Sequence, residues 1–332
     1  MIARVKIPIP FSLFIPEGDI LDPIVYIFED LQITIYFPNN DDNTPVKSDI
    51  NSFFIDKKKS FQVTKLVIDF KKEMFDRRIT TDFDPPVEFI QKIVSDFLLK
   101  LKFVIKGFQI KNIDITTNGI SLLYLNDDGS NFEPSEGFVR GRFIKPIHYS
   151  WIALNNEYWN DLRSLKFEFE PPNWYILYLD ALEALPNVGV SISYVSIALE
   201  IFISQILEKL ALENPDSLDL WNWVNNRDYL KSISVDEQFS DLLNIYLGFS
   251  LKDNKNLWDA HKEIRHARNS FVHEGIAKVN NRPLTSEYAK ILVHKSLEIM
   301  NYVKSHLPEH LKWPEFTHNI NFEFVSKLNI IN

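Results

Sequence analysis

Three side chains in one short segment have the types and spacing that phosphate chemistry requires. In residues 261–275, HKEIRHARNSFVHEG, Arg268 is followed directly by Asn269 and then, past Ser270, Phe271 and Val272, by His273. A guanidinium is a permanent, planar charge that can grip two phosphate oxygens at once. An imidazole exchanges protons near neutral pH and so can serve as general acid or base. Asn269, four positions before His273, can orient the imidazole or hold the phosphate itself. A last-turn position on a helix would favour the imidazolium, which tilts His273 toward the role of general acid.

The element expected to carry them is a helix over 257–274, closed by Gly275 at its C-cap. Leu257, Ile264 and Phe271 fall on one face, with Ala260 and Ala267 beside them. Lys262, His266, Asn269 and His273 share the opposite face. Arg268 lies about 140° round the axis from His273, so the two are not side by side on one helix. Either the long guanidinium bends back or a second copy of the helix completes the site. A polar stripe of this kind suits a two-fold interface through 257–275.

The preceding segments read as the rest of a helical bundle. Pro171 and Pro172 mark a boundary, and 174–185 is apolar and compact. Residues 192–210 are apolar nearly all round, which predicts a central buried helix. Ser234 and Glu237 have capping-box spacing ahead of a helix over 235–249. Thr285 can cap a last helix in which Tyr288, Leu292, Ile299 and Val303 share a face, ending at Pro308. Glu200 is the one charge within 192–207, the apolar stretch of the central helix. A buried carboxylate needs a partner, and Arg268 or Arg265 is the expected one. Lys262 and Arg265 are candidate phosphate contacts, and His266 is a further candidate for contact with the same ligand.

The string Arg268-Asn269-Ser270-Phe271-Val272-His273-Glu274-Gly275 resembles the RN-x-x-x-H signature of HEPN domains, particularly the Apea-like branch. Ala198-Leu199-Glu200 also resembles that branch's second helix. The resemblance covers about 174–307 and does not reach the first half of the chain. It implies a metal-independent endoribonuclease with a composite site at a dimer interface, of the kind found in toxins and phage-defence effectors. Other members have lost catalysis and serve as binding or dimerisation modules for RNA, nucleotides or proteins. The bare pattern Arg-x(4–6)-His arises by chance roughly 0.7 times in such a composition. Arg142 and His148 match it too, in a segment that reads as strand. The helical context and the neighbouring residues supply the specificity. If the RNA's own 2′-OH attacks the adjacent phosphate, the enzyme need supply neither nucleophile nor metal, and DNA is not a substrate.

Residues 1–165 read as an α+β domain of unknown role. Strands are expected at 5–9, 24–28, 31–37, 61–70, 110–115 and 120–125, with one helix over 87–105 for which Asp84 and Pro85 supply the start. The Asn/Asp/Gly clusters at 39–45 and 126–130 punctuate them as turns. The whole is then an α+β domain followed by an all-α, HEPN-like bundle at 172–310. The tail, 311–332, alternates Ile320, Phe322 and Phe324 and can return a strand to the first domain.

Composition removes other classes. The chain has no cysteine, which excludes thiolate metal sites, cysteine nucleophiles and disulfides, and fits a cytoplasmic protein. A net charge of −9 argues against a protein that grips nucleic acid over its whole surface, but leaves room for a local site. Pro8, Pro10 and Pro16 break the apolar start, which reads as a strand and not a signal peptide. No apolar run reaches the roughly 18 residues needed to span a membrane. His306 and His310 have a zinc-like spacing, but Pro308 breaks the helix between them. No cofactor is expected, and the partners implied are RNA, a second copy, and an antitoxin or trigger not named by the residues.

Overall fold

The computed structural model describes residues 2–28, 31–37, 51–71, 86–118, 120–130, 138–140, 151–213, 221–222, 233–318 and 320–326. The expected cap at Asp84 and Pro85, the turn cluster at 39–45 and the Arg142/His148 pair lie outside them. The chain is α+β and divides into two compact units. Unit 1 is Met1–Glu170 with Glu315–Asn332, and unit 2 is Pro171–Pro314.

Unit 1 is built on one mixed sheet. Strand β1 (Ile2–Pro16) alternates half-buried and buried residues as far as Pro10, then is buried throughout. It is far longer than the 5–9 expected, because strict alternation gives way where the strand is covered on both faces. It pairs antiparallel with β5 (Lys58–Lys71), the register shifting between Pro8 and Leu13. Proline donates no N–H, so Pro8 and Pro10 suit an interrupted stretch of ladder. β2 (Ile24–Phe28) pairs with β3 (Leu31–Tyr36), and β3 with the end of β5. β4 (Asn51–Ile55) turns into β5 through Asp56 and Lys57, both left-handed at φ 50° and 66°. On the other side of β1 lie β6 (Ile120–Leu125), antiparallel, and β8 (Trp151–Ala153), parallel. β7 (Phe138–Arg140) pairs with β6. The strand Phe322–Ser326 pairs antiparallel with β4, so the tail does return to the sheet of unit 1.

Helix α1 (Val87–Val104) presents Ile90, Ile93, Val94, Phe97 and Leu101 at helical spacing, all buried. Phe89 sits 5.6 Å from Phe28 and 6.1 Å from Phe70, ring centre to ring centre, which lays the helix across β2 and β5. The expected strand at 110–115 is not formed. Gln91 of α1 donates to the Ile113 carbonyl and accepts from the Ile115 amide, so a side chain takes the bonds a neighbouring strand would have made. Ile110 and Ile113 are buried all the same, and their β-branched run is a core signal, not a strand signal. A short helix, Asn156–Ser164, which the sequence pattern did not suggest, is capped by Asn155, whose side chain accepts from the Tyr158 amide at 3.1 Å.

Unit 2 is mainly helical. Its core helix, Val188–Leu212, buries Ile192, Val195, Leu199, Phe202 and Ile206. By length and composition this helix could cross a membrane, contrary to the expectation that no segment would. Its serines and small residues interrupt the apolar run without lowering its hydropathy enough. More than half of the stretch is buried inside the protein, as a core helix is. Around it stand helix Asn173–Ala184, an irregular helix over 235–247 with a π-helical turn at Gln238–Leu242, and the long helices Lys255–Glu274 and Ser286–His306. The Ser234–Glu237 capping box is formed in both directions. Thr285 accepts from the Tyr288 amide at 3.2 Å. Leu292, Ile299 and Val303 of the last helix are buried as expected, but Tyr288 is 39% exposed. A two-stranded hairpin, Lys278–Val279 with Arg282–Pro283, joins the two long helices.

Candidate functional site

Helix Lys255–Glu274, called here the motif helix, starts on Asn254, whose side chain accepts from the Leu257 amide. It stops at Gly275, left-handed at φ 75°, whose amide donates to the Phe271 carbonyl at 2.8 Å. Leu257, Ala260, Ile264 and Ala267 are buried, as their spacing required. Phe271 is only half-buried. Its ring packs against Gly189 of the core helix, so close that a methyl group on Gly189 would overlap it.

This packing leaves the signature residues facing outward. His273 and Asn269 are exposed and Arg268 is half-buried. The Arg268 guanidinium donates to the Asn269 side-chain carbonyl at 3.2 Å. Among the described residues no hydrogen bond joins Arg268 to His273, in keeping with their separation round the helix. Beside them, Val272 and Ile276 are 56% and 49% exposed, an apolar pair at the mouth of a polar end.

The expected partnership of Glu200 with Arg268 or Arg265 is not formed among the described residues. Glu200 is half-buried and accepts from Ser196 at 3.4 Å, one turn away on its own helix. Arg265, a candidate phosphate contact, instead pairs with Asp236 within the fold. The other oxygen of Asp236 lies 3.0 Å from Nε2 of His261. His261 is 3% exposed and packed against Phe239 and Trp258. Its hydrogen bond, more than the nearby cations, holds the Asp236 carboxyl below the usual carboxylate range. An ionised Asp236 requires His261 to donate from Nε2. Among the described residues, Nδ1 is then left buried without a partner.

Neither Asp236 nor His261 stood out in the sequence. The signal was present: His261 is four residues after Leu257 and four before Arg265, which places it at the edge of the buried stripe. Asp236 stands inside the capping box, where its charge reads as ordinary helix-start chemistry.

Lys262 and His266 lie on a different flank. With Asp259, Glu263, Ser270 and Glu274 they form one wall of a groove of about 550 Å³, whose other wall is the hairpin. Lys262 is bound to Asp259 at 2.8 Å, one turn back along the helix, and His266 is exposed. The arrangement therefore has two parts: an outward-facing end bearing Arg268, Asn269 and His273, and a polar groove running along the helix toward it.

No protein-family profile, no curated protein and no solved structure matches this chain.

Proposed function

We propose that unit 2 is a HEPN-like bundle acting as a metal-independent endoribonuclease, its site completed by a second copy of the chain. The observation that carries this reading is what Arg268, Asn269 and His273 do not do. Among the described residues their one side-chain hydrogen bond runs from Arg268 to Asn269, while His261 and Arg265 of the same helix both bond to Asp236. Arg, Asn and His held outward at a rigid helix end form a reagent set and not a packing set.

The angular gap between Arg268 and His273 is closed when two motif helices meet across a two-fold axis, Arg268 of one copy facing His273 of the other. Val272 and Ile276 are the apolar surface such a contact would cover. In the reaction the ribose 2′-OH gives up its proton to solvent water as its oxygen attacks the adjacent phosphorus, and the P–O5′ bond breaks. Arg268 stabilises the charge gathering on the phosphate oxygens, and His273 protonates the departing 5′-oxygen. The products are a 2′,3′-cyclic phosphate and a 5′-OH.

The test is incubation of pure protein with mixed RNA in chelator, beside His273→Ala, with light scattering on the same preparation. The reading expects cutting by a dimer, none by the variant, and no cutting of DNA. One observation favours a second reading, a binding and dimerisation module without catalysis: among the described residues no hydrogen bond joins the two key side chains within the single chain. A folded, dimeric wild type that binds RNA without cutting it would select that reading.

A further inference from the structure

We propose that the groove between the motif helix and the hairpin holds one base of the RNA, and that it selects guanine. This rests on the ribonuclease reading and assigns the specificity of that site.

The groove is unsuited to phosphate. Its five charged side chains are three carboxylates, Asp259, Glu263 and Glu274, and two ammonium groups, Lys262 and Lys278, a formal balance of −1. Both lysines are already engaged, Lys262 by Asp259 and Lys278 by Glu274. The positive charge that a phosphate needs stands elsewhere, on Arg268. What the groove offers in excess is acceptors.

Glu263 is the acceptor best placed to read a ligand. Among the described residues it has no cation partner. One of its oxygens, Oε2, accepts from the Tyr288 hydroxyl at 2.7 Å. That bond fixes the carboxylate in direction while leaving the other oxygen, and the remaining lone pairs, for a donor. A carboxylate accepts two parallel N–H bonds from a group with adjacent donors. On their Watson–Crick edges adenine and cytosine present one amino donor and uracil one ring N–H, but guanine presents N1–H and N2–H side by side. Single-stranded RNA exposes that edge.

The two walls are tied to each other by hydrogen bonds. Ser270 accepts from the Lys278 amide at 2.7 Å and donates to the Ala267 carbonyl at 3.0 Å, stitching the hairpin to the helix. The hairpin turns on Asn280 and Asn281, left-handed at φ 51° and 60°, which places two amide side chains at the rim. The volume, about 550 Å³, lies within the ordinary range for a ligand pocket. His273 lies seven residues beyond His266, nearly in line with it and about 10 Å along the axis. A base in the groove therefore adjoins a phosphate held at His273.

The test uses the full chain with short single-stranded RNAs that differ at one base, mapped for cleavage, and calorimetry with guanosine, adenosine and guanosine monophosphate. The proposal expects cutting beside G at least about tenfold over the other bases, as good base contacts give. Glu263→Gln, checked by thermal melting, should flatten that preference, and Tyr288→Phe should weaken it less. Guanosine should bind more tightly than adenosine, and at least as tightly as its monophosphate. Equal cutting at all bases, or a preference unchanged in folded Glu263→Gln, overturns the groove assignment and leaves the ribonuclease standing. Guanosine binding that Glu263→Gln abolishes, with no cleavage of any RNA, supports the groove and overturns the ribonuclease. Tighter binding of the monophosphate, or no nucleoside binding and no base preference, overturns the groove.

Discussion

Lys100 in unit 1 and Arg268 in unit 2 are both cations on long helices, and their surroundings are opposite. Lys100 is fully buried, with Asp96 at 2.7 Å, the Lys166 carbonyl at 2.5 Å, and the rings of Tyr26 and Phe167 at 5.0 and 5.7 Å from its ammonium. Burial pushes the Lys100 amine down and the Asp96 carboxyl up, each toward its neutral form. Burial, with the Asp96 charge, also holds the Tyr26 phenol above its ordinary range. Arg268 is half-exposed and bonded to its sequence neighbour. A cation bound on every side is part of the architecture, while one held outward by a helix that packs through other residues is available for chemistry. Arg265, bound to Asp236 on the same helix as Arg268, shows both kinds one turn apart.

The sharpest way to break this contrast is to truncate both cations. Lys100→Ala leaves the mostly buried Asp96 without its cation and should cost about 3 kcal/mol, whereas Lys100→Met with Asp96→Leu should come out near neutral. Urea unfolding of the three proteins checks this. A Lys100→Ala protein as stable as wild type would mean that the pair is not structural.

The next effect lies in unit 2, where the packing beneath the signature is decided by Gly189 and Phe271. Gly189→Ala forces a methyl into the ring and should cost about 1–3 kcal/mol. Phe271→Ala should cost about 2–3 kcal/mol, less than a fully buried ring, because part of it is already exposed. Combined, the two should cost less than their sum, since the second removes the group with which the first collides. Thermal melts of the three variants decide whether this contact seats the helix.

A smaller effect distinguishes the acids. Asp236 has a folded-state pKa held below its ordinary value of about 3.9. Its contribution is therefore complete above that value and is lost as pH falls through the lower folded-state one. Asp96 is shifted the other way, so acidification does not remove stabilisation through it. The advantage of wild type over Asp236→Asn in urea should be constant near neutrality and vanish on acidification below about pH 4. An advantage that persists in acid would assign the Asp236 contribution to something other than its charge.

The smallest stability change is expected where function is concentrated. Arg268→Ala and His273→Ala should each shift stability by about 1 kcal/mol or less and abolish cleavage. Arg268→Lys keeps the charge but loses the planar fork, so a severe defect in rate supports two-oxygen recognition of phosphate. A destabilisation by Arg268→Ala as large as that of Lys100→Ala would erase the contrast between the two units.

Interactions spanning a few residues were legible in the chain itself. The caps at Ser234, Thr285 and Gly275, the buried positions Leu257, Ile264, Leu292, Ile299 and Val303, and the outward position of Asn269 and His273 follow from helical period and cap chemistry. So does the separation of Arg268 from His273. Tertiary structure alone decided the rest. It made Ile110–Ile115 a side-chain-satisfied segment and not a strand, because Gln91 lies within reach of its backbone. It assigned Arg265 to Asp236 and not to Glu200, and buried His261 beside them. It raised the hairpin that makes one flank of the motif helix a groove. Helical spacing states on which side a residue stands, but the partner waiting there comes from a distant part of the chain, and no local period encodes it.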